Sequence, residues 1–123
     1  MKVREMADNR ALWVEALRSG KYNQGFSSLK HKKGDGSFAF CCLGVGCEIF
    51  PLGKWEDMEG SAVAYVSDDE EPGSENVGMP PESFLDLVGL SLRDAEELAS
   101  ANDSGTPFEE IADLIEEMEY VDA

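Results

Sequence analysis

Eight of the ten basic residues in this 123-residue chain fall within its first 33 positions. Around residues 18–38 they stand beside the other groups that phosphate recognition requires. Arg18, Lys21, Lys30 and Lys33 supply positive charge, with His31 among them. Asn23 and Gln24 supply hydrogen-bond donors, and Tyr22, Phe26 and Phe38 supply flat rings. A diphosphate or cyclic nucleotide is held by two or three cations, by donors, and by a ring against its base. Arg18 is the first choice for a two-pronged contact, because a planar guanidinium matches phosphate oxygens. Gly25 allows a close backbone approach. The candidate ligand-binding set is therefore Arg18, Lys21, Tyr22, Gln24, Gly25, Lys30, His31, Lys33 and Phe38. The competing reading is that the lysines solvate a hairpin tip and protect its edge from further strand pairing.

Catalytic chemistry finds little support. There is no Gly-rich phosphate loop, no His-Glu-x-x-His and no Gly-x-Ser-x-Gly elbow. His31 is the one imidazole, and a pairing with Cys41 or Cys42 would need a core thiol to meet a side chain near a turn. Carboxylates are too plentiful for any pair of them to be informative. Cys41, Cys42 and Cys47 with His31 form a formal zinc set, but neighbouring residues on a strand point to opposite faces. The thiols read better as small buried apolar groups. An odd number of cysteines with no secretory signal points to a reducing cytoplasm. No enzymatic activity, no metal and no cofactor is expected.

Charge narrows the partners. The formal net charge is −16. It is uneven: residues 34–123 hold 23 acids against two basic residues, Lys54 and Arg93. Such a surface opposes direct binding to a nucleic-acid duplex, which depends on neutralising phosphates. It suits solubility, or attraction to basic proteins. Glu109, Asp113, Glu116 and Glu117 share one face of a terminal helix, where carboxylates can imitate phosphate spacing. No apolar run is long enough for a membrane span.

The elements that must position these groups centre on residues 37–50, the longest nearly uncharged apolar run, with Glu48 its one acid. It reads as a buried strand over 37–42 and a short helix over 43–50, in which Gly44 and Gly46 weaken the helix or admit another backbone. Before it, Asp8 or Asn9 caps a first helix to about Arg18, with an apolar face of Leu12, Trp13, Ala16 and Leu17. Residues 26–31 form a strand, and 32–36 form a hairpin turn. Residues 61–67 form another strand, and 68–75 a charged loop. The remainder is helical. Pro81 opens a short helix covered by Phe84, Leu85, Leu87 and Val88 and ended by Gly89. Ser91 with Asp94 starts a helix to about Ala101, burying Leu92, Ala95, Leu98 and Ala99. Asn102 begins a turn. Thr106 with Glu109 makes a capping box for a last helix that buries Phe108, Ile111, Ala112, Leu114, Ile115 and Met118. The last segment has the look of the first helix of a helix-turn-helix, but no recognition helix follows within the sequence and the exposed face is acidic. The fold expected is α+β: one domain over residues 1–123, with an N-terminal helix, a small antiparallel sheet of about three strands, and a C-terminal helical hairpin packed on it.

Three stretches carry a resemblance. They are Glu15-Ala-Leu-Arg-Ser-Gly-Lys-Tyr-Asn-Gln-Gly25, Phe40-Cys-Cys-Leu-Gly-Val-Gly-Cys47 and Leu98-Ala-Ser-Ala-Asn-Asp-Ser-Gly-Thr-Pro-Phe-Glu-Glu-Ile-Ala-Asp-Leu-Ile-Glu116. Together they resemble a family of small phage and prophage proteins, over most of the chain, with residues 54–78 the least specific part. The resemblance implies a phage or prophage origin and the host bacterial cytoplasm. It also implies an accessory role against host defence, by association with other small phage proteins. The function expected is capture of a small phosphorylated nucleotide signal. The alternative is an acidic mimic of nucleic acid that blocks a host nucleic-acid-binding protein. The partners expected are accordingly a small anionic, nucleotide-like ligand or a basic host protein, with no membrane; a homo-oligomer is left open.

Overall fold

The computed structural model describes residues 3–58, 60–68 and 75–121. In chain order its elements are α1 (Val3–Arg18), β1 (Lys30–Lys32), β2 (Phe38–Phe40), α2 (Cys42–Ile49), β3 (Gly53–Asp57), β4 (Ala62–Ser67), α3 (Glu82–Val88), α4 (Leu92–Asp103) and α5 (Phe108–Glu117). The four strands form one antiparallel sheet in the order β2-β1-β4-β3. This is the α+β architecture read from the sequence: N-terminal helix, small antiparallel sheet and C-terminal helices. α1 is the hub of the helical part, packing on α2, α3 and α5, while α4 lies on α2 and α5.

The central apolar run behaves as its composition dictates. Every residue from 39 to 47 is buried. The strand β2 passes straight into α2, whose N-cap is Cys41, its sulfur accepting from the Gly44 N–H at 3.4 Å. Two glycines in a helix cost about 1 kcal/mol each, and the packing shows what they allow. A Cβ at Gly44 would overlap the carbonyl of Leu29, and one at Gly46 would overlap the ring of Phe84. The helix can therefore lie directly on the 29–30 backbone and on α3. Trp13 is fully buried on the same side, its indole N–H donating to the Cys42 carbonyl at 2.9 Å and its ring meeting Phe84 edge-on at 5.2 Å.

Several local expectations need correction. α1 begins at Val3, and its buried stripe is Met6, Arg10, Trp13, Val14 and Leu17. Leu12 is 53 % exposed. The spacing 6, 10, 13, 17 is a regular helical face once an arginine is admitted into it. The strand expected over 26–31 shrinks to β1, and Phe26 is exposed, because residues 26–29 bend so that Leu29 can meet α2. β3 adds a strand that the sequence does not signal: Lys54, Glu56 and Asp57 give a loop-like composition, but Trp55 pairs with Tyr65 in register and the rings lie 4.8 Å apart. Leu92 and Leu114 are exposed, each on the outer side of its helix. Asn102 lies inside α4 and is buried. Thr106 does not cap α5: Pro107 occupies the N-cap with extended backbone and no side-chain cap bond. Pro81 stands likewise at the N-cap of α3. The Ser91 cap is as read, its hydroxyl accepting from the Asp94 N–H at 3.0 Å. Gly89 ends α3 as read, and it does so at φ +63°, in the left-handed conformation. Most of the charged loop expected over 68–75, residues 69–74, lies outside the described residues.

Candidate functional site

The nine residues of the candidate ligand set fall into separate environments. Arg18, at the end of α1, crosses to α5. Its Nη2 donates to Asp113 and, at 2.7 Å, to Glu116. Both carboxylates raise the pKa of the guanidinium, Glu116 first. A phosphate would have to displace two acids to use this nitrogen.

Lys21, in the connection after α1, lines a cleft of about 300 Å³ between α1 and α2, together with Ser19, Tyr22, Leu12, Ile49 and Glu15. Tyr22 leans edge-on against Phe40 at 5.6 Å. Lys21 also borders a second depression that it shares with Arg18 and Glu116.

Gln24 has a different task. Its amide donates to the Asn102 side-chain oxygen at 3.0 Å and to the Thr106 carbonyl at 2.7 Å. Gly25 is buried under His31: a Cβ there would stand 2.5 Å from the imidazole. Both residues thus join the 23–25 connection to the sheet and to α4, with Gly25 N–H donating to the Phe40 carbonyl at 2.7 Å.

Lys30 occupies a box of aromatic faces. Its ammonium lies 4.4 Å from the Phe38 ring centre, 4.9 Å from Trp55 and 5.3 Å from Phe40. Glu48 closes the box at 3.8 Å and also accepts from the Trp55 indole at 3.1 Å. Here the ring quadrupoles and a carboxylate hold the charge inside the molecule. Lys33 stands apart at the hairpin turn, exposed, its N–H donating to the Ser37 carbonyl. The structure therefore brings Lys21 with Tyr22, Arg18 with Lys21, and Lys30 with Phe38, each around a different feature.

Two polar residues at the centre of the architecture were missed. Arg10 is 3 % exposed and donates to five carbonyls: Val88, Gly89, Ile115, Met118 and Glu119, at 2.6–3.2 Å. It also stacks on Tyr120, 4.0 Å from the ring centre. Burial lowers its pKa, with Tyr120 and Asp94 acting in opposition. The five acceptors lie at the C-terminal ends of α3 and α5, where Gly89 and Ile115 also accept from the Val121 and Met118 N–H groups and the other three lie beyond the helical ladder, so one guanidinium joins two helix ends. The signal for it was present: a basic residue four positions after Met6 and three before Trp13. The second is Asn102, fully buried, which accepts from Gln24 and from the Cys42 N–H at 3.2 Å and donates to the Gly25 carbonyl at 2.8 Å.

The three thiols are free and buried. Burial raises the Cys41 pKa to about 11 and those of Cys42 and Cys47 well above the usual range. Thiols so protonated make poor nucleophiles. Among the described residues no group of three or more His, Cys, Asp or Glu is arranged to hold a metal ion. No helix among them is long and apolar enough to cross a membrane.

A family model described as a domain of unknown function (DUF8296) matches residues 6–119. No curated protein and no solved structure matches the chain. The matched span runs from Met6, at the start of the buried α1 stripe, to Glu119, whose carbonyl Arg10 holds. The chain belongs to the DUF8296 family.

Proposed function

We propose that this member of the DUF8296 family is a non-catalytic binding protein. In this reading it presents the acidic outer faces of α3, α4 and α5 to a basic, nucleic-acid-binding surface of another protein. The observation that carries the reading is the internal commitment of three cations, Arg10, Arg18 and Lys30, beside the acidic helices. Arg10 is sealed among carbonyls, Arg18 is shared between Asp113 and Glu116, and Lys30 sits in its aromatic box. Glu82, Glu96, Glu97, Asp103, Glu109, Glu110 and Glu117 remain exposed on helices that hold one basic residue, Arg93. Carboxylates on rigid helices steer a basic partner and raise its association rate by about 10 to 10³-fold at low salt. The phage or prophage setting, and a role against host defence, rest on the sequence resemblance. The test is inhibition of a panel of host nucleases and polymerases at increasing salt. Inhibition of at least one, weakening with salt and lost when Glu96, Glu97, Glu109 and Glu117 become Gln with the fold intact, supports the reading. Undiminished inhibition by that variant overturns the choice of surface.

A second reading, stoichiometric capture of a small phosphorylated nucleotide, is favoured by one observation. Lys21, Tyr22 and Ser19 bring a cation, a ring and a hydroxyl to the same cleft, with an apolar floor from Leu12 and Ile49. Its volume, about 300 Å³, stands at the lower end for small-molecule sites. Calorimetric titration with cyclic oligonucleotides and ADP-ribose-type molecules tests it. Binding lost in both Lys21→Ala and Tyr22→Ala supports it, and silence across the panel removes it.

A further inference from the structure

A further groove lies where α3 turns into α4. Its volume is about 640 Å³, and its floor is formed by Leu85 and Leu90, both buried. Leu92 and Val121 form its upper edge and are 57 % and 45 % exposed. Leu92 is outward because the Ser91 cap starts α4 there, while Ala95, Leu98 and Asn102 take the inner face. Val121 is fixed at the edge by its N–H, which donates to the Gly89 carbonyl at 2.9 Å. Single exposed apolar residues need no explanation, but two bordering one groove with an apolar floor do. The rim is acidic. Glu82 and Asp86, four positions apart on α3, share one helical face, and neither takes part in an ion pair among the described residues.

We propose that this groove docks a basic amphipathic segment of a partner protein, with aliphatic side chains on Leu85, Leu90, Leu92 and Val121 and Lys or Arg against Glu82 and Asp86. An apolar stripe laid into a groove, with flanking charges setting orientation, is a recurring mode of helix recognition. Charge complementarity selects the occupant. A second copy of this chain would bring another net charge of −16 to an acidic rim, and an anionic small molecule would meet the same repulsion. The inference rests on the proposal that the acidic helical layer meets a basic protein, and it names where the contact gains specificity.

The experiment is fluorescence anisotropy with a labelled Leu/Lys peptide of about 14 residues, patterned as four helical turns. A scrambled peptide of the same composition is the control. The patterned peptide is expected to bind more tightly than the scrambled one. Leu92→Ser should weaken it about tenfold, whereas Leu114→Ser, on the outer side of α5 and outside the groove, leaves it unchanged. Glu82→Gln with Asp86→Gln should flatten its salt dependence. Both altered leucines are exposed, so an unchanged thermal melt accompanies a valid comparison. Equal binding of the two peptides, insensitive to Leu92→Ser, overturns the groove while leaving the acidic-surface reading standing. No binding of either peptide at low salt overturns both.

Discussion

The guanidinium of Arg10 donates to the carbonyl of Gly89 at 2.7 Å, joining residues 79 positions apart in the chain. The same side chain holds the ends of α3 and α5. Arg10→Met retains bulk but leaves the buried Val88 carbonyl and the part-buried Met118 and Glu119 carbonyl bonds without their donor, while Gly89 and Ile115 keep one backbone partner each. Each buried unsatisfied group costs about 1–3 kcal/mol, so urea unfolding should show a loss of at least about 3 kcal/mol. Arg10→Lys should recover little of it, because an ammonium has three donors where the planar fork has five. A variant within about 0.5 kcal/mol of the parent, the usual range for surface changes, would refute this role.

Asn102 makes a comparable prediction at the other end of the core. Asn102→Leu fits the volume but strands the Gly25 carbonyl and the Cys42 N–H, and leaves the Gln24 amide with Thr106 alone. The expected cost is about 2–4 kcal/mol in the urea midpoint at unchanged slope. Gln24→Ala should couple to it in a double-mutant cycle, since the two side chains share a bond. Additive effects would show that the contact carries no stability.

Much of this was legible in the sequence, and what was not has a physical cause. The uncharged run around Cys42 announced the core, and Ser91 and Gly89 announced two helix boundaries, because each acts through its own backbone. The spacing of Arg10 from Met6 and Trp13 places it on the buried stripe, but its partners, like those of Asn102, are carbonyls and N–H groups far along the chain, which no local pattern reports. β3 was hidden because its outward residues are charged and only Trp55 faces inward. The nine candidate residues fall into separate environments for the same reason. Arg18, Gln24 and Lys30 are recognisable as donors from their types, but α5, α4 and the Trp55–Glu48 pair already engage them. Sequence proximity gathered these residues, and the fold separated them.

Alkaline pH should unfold the protein progressively. Burial raises Cys41 from an ordinary 9 to about 11 and Tyr65 from 10 to about 12. In both cases the folded state keeps the proton longer. The stability this confers is complete below the unfolded pKa and is lost as pH rises through the folded one. Urea midpoints should therefore be flat just below pH 9 and fall between pH 9 and 12. Tyr65→Phe should lessen the fall between pH 10 and 12. At pH 8 a thiol-reactive chromogenic reagent should leave all three cysteines untouched in the native protein and label all three in urea. Rapid native labelling would contradict their burial.

The acidic-surface account is tested most directly by native mass spectrometry of the protein isolated from cells that express it, recorded with and without duplex DNA. The account predicts a complex with a basic protein that duplex DNA dissolves, because both compete for one basic surface. The complex should be absent when Glu96, Glu97, Glu109 and Glu117 are changed to Gln. A bound small phosphorylated molecule, retained by that variant and lost in Lys21→Ala, would contradict the account and place the working site in the cleft between α1 and α2.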